Sequence, residues 1–235
     1  MKNWVYVAVV MLVAIGVLST GMKQRQPVHG ILATDVSWPN CDAARPTTSE
    51  GIVGVTGGLD FRPNPCLRTE ATWFPVVSTY MNTGWPGSDS QRVYLNYPWA
   101  CTAHDPTCLA YNYGYHAAVY AMSYANQQLV HTSQWWLDVE TENSWTADKN
   151  QNRAALIGMI AAIKAFAPST QIGFYSYPGQ WQQIVGNWRP RYPAWVATGS
   201  VQQLDAVTAC RATSFTAGPV ILAQYTKVLD LSYYC

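Results

Sequence analysis

Charge is scarce in this chain. Asp, Glu, Lys and Arg make up 11% of its 235 residues, less than half of the roughly 25% usual in soluble proteins. The 14 basic and 13 acidic side chains nearly cancel, leaving a formal charge of +1 with no basic run. That excludes the cationic face a nucleic-acid partner requires. The six cysteines form no CxxC pair and the four histidines are scattered, so no zinc-ligand cluster can be read. Ser176, in Phe174-Tyr175-Ser176-Tyr177, lacks the Gly-x-Ser-x-Gly elbow of a serine hydrolase. Gly57-Gly58 is a turn signal, because the Lys-Ser/Thr of a phosphate loop does not follow it. There is no internal repeat to suggest a solenoid or propeller.

Rings are what the chain has in excess: 11 Trp, 15 Tyr and 5 Phe outnumber the charged side chains. With 49% hydrophobic residues, a disordered or solvating role is excluded. At the N-terminus, Lys2 precedes an apolar run from Trp4 to Leu18, and small residues Ser19-Thr20-Gly21 follow. This is the pattern of an export signal cleaved after Gly21, or of an uncleaved anchor tethering the protein to a membrane through residues 4–18. An even number of cysteines in an exported chain reads as three disulfides. Six cysteines allow 15 pairings in principle; pairing sequence neighbours gives Cys41–Cys66, Cys101–Cys108 and Cys210–Cys235. The expected organisation is a leader over 1–21, a linker over 22–30 and one domain over 31–235, secreted or held at the cell surface. The sequence carries no sign of oligomeric state.

Seven strand-like runs alternate with helix-like ones, from Ile31–Ser37 to Val220–Tyr225. A strand–helix rhythm with short links points to a parallel sheet, and seven strands in one domain favour an α/β (β/α)8-like barrel of the TIM type. The stretch around Tyr111, Tyr113 and Tyr115 alternates like an extended lid, and a small-residue helix is expected from Ala117 to about Gln128. Chemistry in such barrels collects where strands end. Asp35 ends the first strand, Asp138 and Glu140 the fourth, and Asp230 follows the last. In Trp135-Trp136-Leu137-Asp138-Val139-Glu140 the twofold alternation sends Asp138 and Glu140 to one side. One of the two Trp must therefore pack outward. Two neighbouring carboxyls in an apolar setting hold a proton to higher pH than a free acid would, the condition for acid catalysis of glycoside hydrolysis. The alternative is a structural pair neutralised by Arg or backbone. Trp38, Trp85, Tyr177, Trp181, Trp195 and Tyr225 fall at or just past strand ends, where rings could stack on sugar faces.

Four islands in order carry a resemblance: Asp35-Val36-Ser37-Trp38, Trp136-Leu137-Asp138-Val139-Glu140, Ala194-Trp195-Val196-Ala197, and Ala223-Gln224-Tyr225 with Leu229-Asp230-Leu231. Together they resemble glycoside hydrolase family 25, the lysozymes of the Chalaropsis type. The resemblance implies an irregular barrel that cleaves peptidoglycan after N-acetylmuramic acid with neither metal nor cofactor. It implies Glu140 as general acid and Asp138 as the second carboxylate, which stabilises positive charge or orients the acetamido group. Asp35 and Asp230 would complete the acidic floor. The chain departs from the family pattern at Ala33-Thr34, in the turn from Val55 to Asp60, and in an insert carrying Cys101 and Cys108, as a divergent exported branch would. A catalytically silent glycan-binding or wall-organising protein on the same fold is the alternative expectation.

Overall fold

Alternation of inward and outward side chains builds the molecule. In the computed structural model, which describes residues 30–90 and 92–235, eight strands close a barrel in chain order. They are β1 (Leu32–Val36), β2 (Glu50–Gly54), β3 (Val76–Asn82), β4 (Gln134–Asp138), β5 (Gln171–Ser176), β6 (Ala194–Ala197), β7 (Val220–Thr226) and β8 (Asp230–Tyr234). Strands β1 to β7 run parallel, whereas β8 is antiparallel to both β7 and β1. The (β/α)8-like expectation holds with this irregularity. Only Lys227, Val228 and Leu229 separate β7 from β8, far too few for the crossover a parallel strand needs. The chain turns back as a hairpin instead, and Asp230 lands at the end of the barrel where the parallel strands finish. The leader, and all of the linker but Gly30, lie outside the described residues. Among the described residues, no helix is long and apolar enough to cross a membrane.

Five helices cover the outside: α1 (Leu67–Ala71), α2 (Pro106–Gln127), α3 (Lys149–Phe166), α4 (Pro178–Val185) and α5 (Gln203–Ala209). Helix α2 begins eleven residues before the expected Ala117. Asp105 caps it by accepting a hydrogen bond from the Cys108 backbone N–H, and Pro106 starts its first turn. Tyr111, Tyr113 and Tyr115 therefore spread around a helix rather than along a lid. Tyr113 packs on Trp85, Tyr115 on Tyr97 and Tyr111 on Trp99. The insert lies along this helix, held by the buried Asn112, whose Nδ2 donates to the carbonyls of Tyr94 and Trp99, 2.8 Å each.

Two apolar layers result. Trp135 faces outward into the layer under the helices, while Trp136 joins Ala33, Ile52, Tyr175, Trp195 and Leu222 inside the barrel. Gly173 makes this possible: a Cβ there would lie 2.2 Å from the Trp136 ring. The edge-on pair Trp136 and Trp195, with centroids 5.8 Å apart, plugs the barrel below the strand ends.

All three neighbour disulfides are present: Cys41–Cys66, Cys101–Cys108 and Cys210–Cys235. The last ties the end of α5 to the C-terminus behind β8, closing a loop with sequence separation 25. Replacing both Cys210 and Cys235 by Ser is expected to lower the unfolding free energy by about 3 kcal/mol, measured by urea denaturation. A loss under about 0.5 kcal/mol would show that β8 is held without the bond.

Candidate active site

Above the Trp136–Trp195 plug, the barrel opens into a cavity of about 260 Å³. Its acidic wall is Asp35, Asp138, Glu140 and Asp230. The remaining lining is Tyr80, Tyr175, Tyr177, Trp195, Gln224 and Thr226. Among the described residues no lining residue is basic, so the four expected carboxyls come together there without a neutralising Arg or Lys. Strand register explains the gathering. Asp35 pairs with Asp230 across β1 and β8, and Asp138 pairs with Tyr175 across β4 and β5.

The end of β4 is pinned from several sides. Asn82, at the end of β3, donates its Nδ2 to Asp138 Oδ2. Its orientation is set by Thr56 Oγ1 and the Gly58 N–H, which donate to Asn82 Oδ1 at 2.8 and 3.1 Å. Thr83 Oγ1 and Asn143 Nδ2 donate to the Asp138 carbonyl. Ser176 Oγ holds the Val139 carbonyl at 2.7 Å, and Trp145 Nε1 holds that of Glu140 at 2.8 Å. Opposite, Tyr175 Oη donates to Gln224 Oε1 at 2.7 Å, which turns Gln224 Nε2 toward Asp35 Oδ2 at 2.9 Å. Each buried acid thus has one oxygen engaged by an amide. The other oxygens, Asp35 Oδ1 and Asp138 Oδ1, have no hydrogen-bond donor.

Electrostatics follow from this enclosure. Burial raises the Asp138 carboxyl well above its usual range, and the charges of Glu140 and Asp35 add to the effect. Burial, then Asp230 and Glu140, does the same to Asp35, against the opposing pull of Gln224. Glu140 is pushed up to about 7, by burial first and by the neighbouring Glu142 second, while the adjacent Asp138 carboxyl pulls it down. Burial also raises the Tyr80 and Tyr175 hydroxyls, which stay neutral donors. Three acids with raised folded-state pKa values bind more protons than the unfolded chain, so stability is lost as pH rises from about 4 through the folded values. The melting temperature is expected to be at least about 3 °C higher at pH 5 than at pH 8. The difference should shrink in Glu140→Gln; calorimetry showing the reverse order would contradict the assigned shifts.

The comparisons with known proteins converge on one barrel type. Residues 105–203, from the start of α2 to the start of α5, match the family Lys-1, lysozyme-like protein 1. Lysozyme-like protein 5 of Caenorhabditis elegans is 45% identical over 51 residues, 22% of this chain and 22% of that protein. The matched part therefore spans about a fifth of that relative. Among solved structures, a family 25 glycosyl hydrolase from Bacillus anthracis superposes with a TM-score of 0.52 at 13% identity, over 88% of this chain and 89% of that one. The fold is that of the family 25 glycosyl hydrolases. The spore cortex lytic enzyme SleM of Clostridium perfringens gives a TM-score of 0.59 at 10% identity, covering 87% of this chain and 67% of SleM. The CTP1L endolysin gives 0.55 at 13%, covering 87% and 66%.

Within this family 25 fold, the six expected rings divide. Trp195 and Tyr177 line the acidic cavity, and Trp195 packs on Tyr175 at 4.4 Å. Trp38 is 43% exposed beside Gly58, under the Arg62 guanidinium, at the rim rather than in the lining. The other three lie elsewhere. Trp85 is fully buried on Tyr113, its Nε1 donating to Gln151. Trp181 sits on the inner face of α4, against Phe174 and stacked on Trp188. Tyr225 faces outward toward Ala206 of α5, because its neighbour Gln224 faces inward. Position near a strand end does not fix the side on which a ring emerges. Tyr80, Tyr175, Gln224 and Asn82 were missed. All four sit on inward strand positions, so the alternation that found Asp138 and Glu140 would have found them too.

Cys41, Cys66 and Glu70 bring ligand-type atoms together away from the cavity. The two sulfurs are joined in a disulfide and so offer no thiolate.

Proposed function

We propose that this protein is an exported glycoside hydrolase of lysozyme type, cleaving the glycan of peptidoglycan by carboxyl acid/base chemistry. The observation that carries the reading is the cavity lined by four carboxyls, with no basic side chain among the described lining residues and one acid poised at about 7. The family match to lysozyme-like proteins and the family 25 barrel support it. Three disulfides agree with an oxidising, extracytoplasmic setting.

In this mechanism Glu140 holds the proton that passes to the leaving glycosidic oxygen. An acid with pKa near the working pH both carries its proton and releases it readily. Asp138, more deeply buried, keeps its own proton, so that no second charge opposes the Glu140 carboxylate left behind after transfer. Asp230 faces the sugar ring as it acquires oxocarbenium character, and Asp35, held beside it by Tyr175 through Gln224, lines the same space. Water then adds to the anomeric carbon and gives its proton to the Glu140 carboxylate. The neutral hydroxyls of Tyr80 and Tyr175 line the same space. Trp195 offers a flat wall to the sugar.

The test is product analysis after incubating the purified protein with defined peptidoglycan. New reducing ends on N-acetylmuramic acid are expected. Reducing ends on the other sugar would overturn the bond assignment. Binding without cleavage would leave a silent glycan-binding protein.

A further inference from the structure

A second and larger depression, about 730 Å³, lies directly beside the acidic cavity. Its walls are the first turn of α4 with Gln183, the end of β6 and the link from α5 to β7. Tyr177 lines both spaces and forms the partition between them. We propose that this groove binds the peptide substituent of the glycan, an uncharged, alanine-bearing segment next to the sugar whose bond is cleaved; the proposal rests on the peptidoglycan reading above.

Three observations favour that occupant. First, the two spaces meet at Tyr177, so whatever fills the groove while a sugar fills the cavity is naturally part of the same molecule. In peptidoglycan the lactyl carboxyl of muramic acid is amide-linked to a short peptide, which leaves the sugar sideways to the glycan axis. Second, none of the groove's lining residues carries a formal charge, in contrast to the four acids next door. The occupant is therefore uncharged at this point, as an amide-linked lactyl–alanine segment is. Third, the floor is made of small aliphatic groups, Val196, Ala197, Ala209 and Ala212, which suit methyl side chains. Of the two rings in the lining, Phe215 is 5% exposed and packed on Trp181, and Tyr177 stands as the partition shared with the acidic cavity, so the floor itself offers no open ring for a sugar to stack on. The exposed Gln183 and Thr213 at the edge can hydrogen-bond peptide groups. The groove also touches the acid chemistry through Thr198, whose Oγ1 donates to the Gln224 carbonyl at 2.7 Å, on the residue that orients Asp35.

The experiment compares two polymers: soluble glycan strands carrying their peptides, and the same strands stripped by an amidase. Ala212 and Thr213 are exposed in the groove wall, so Ala212→Trp and Thr213→Trp fill it with little risk to folding. The ratio of kcat/KM for peptide-bearing over stripped strands is expected to fall about tenfold in either variant, mostly through KM, the mark of lost ground-state binding. An unchanged ratio overturns the groove, including the case where both polymers suffer equally because it holds sugar. Calorimetric binding of N-acetylmuramyl dipeptide against N-acetylmuramic acid tests the groove without cleavage. The wild-type protein should bind the dipeptide form about tenfold more tightly, and Ala212→Trp should abolish the difference. Equal affinities overturn the proposal even if no glycan is cleaved, and a clear preference sustains it even if the muramidase reading fails.

Discussion

Glu140→Gln should leave a folded protein whose turnover of peptidoglycan is lower by about a thousandfold, within the range a positioned general acid contributes. Gln matches Glu in shape and fits the same space beside Asp138, but its amide cannot surrender a proton to a departing alkoxide. The substitution also removes the group that adds like charge to both Asp35 and Asp138. The variant should therefore melt no lower than the wild type at pH 8, and a circular dichroism melt separates loss of chemistry from loss of fold. Reducing-end assays on both proteins check the rate. Activity within a factor of about three of wild type would remove Glu140 from the proton-donor role.

The second large effect concerns the scaffold. Helices α2 and α3 cross closely at Gly114 and Gly158. A Cβ at Gly114 would lie 1.9 Å from the Ala155 carbonyl oxygen, and one at Gly158 would lie 2.0 Å from that of Tyr111. Both obstacles are backbone, so no rotamer change relieves them; the helices must move apart along a contact that includes Leu156, Met159 and Ala118 of the outer core. Gly114→Val is expected to cost about 4 kcal/mol or more, the scale of severe overpacking, measured by urea denaturation. Helix α3 follows directly on the segment from Thr141 to Asp148, which braces the end of β4 through Asn143 on the Asp138 carbonyl and Trp145 on that of Glu140. The variant should thus lose activity along with stability. A cost below about 1 kcal/mol would show that the crossing can open freely.

Much of the site was legible because a strand has a period of two. That rule alone aligned Asp138 with Glu140 and split Trp135 from Trp136. It says nothing of Trp85, in the loop after β3, or of Trp181, on α4, and at Tyr225 it sends the ring outward because Gln224 faces inward. Gln224 was passed over for Tyr225 in the same dipeptide, although only one of two adjacent strand residues can face inward. The eighth strand is hidden by its direction, since a strand–helix rhythm calls for a helix before each new strand while three residues permit only a hairpin. The start of α2 was written in Asp105-Pro106, a cap followed by a first-turn proline, but the tyrosine alternation drew attention away from it. The disulfides were legible as neighbours because each closes a loop local to one end of an element. What no pattern along the chain shows is Asn82 and Tyr175 orienting two acids, since the first contact needs the β3–β4 register and the second crosses from β5 to β7.

A protonated Glu140 facing the scissile bond is the centre of this mechanism, and the pH dependence of kcat/KM on soluble peptidoglycan fragments tests it most directly. Because the acid must carry its proton in the free enzyme and Glu140 is held at about 7, activity should decline as pH rises through about 7. A profile that stays flat from about pH 6 to pH 9, across the range in which this carboxyl gives up its proton, would contradict it.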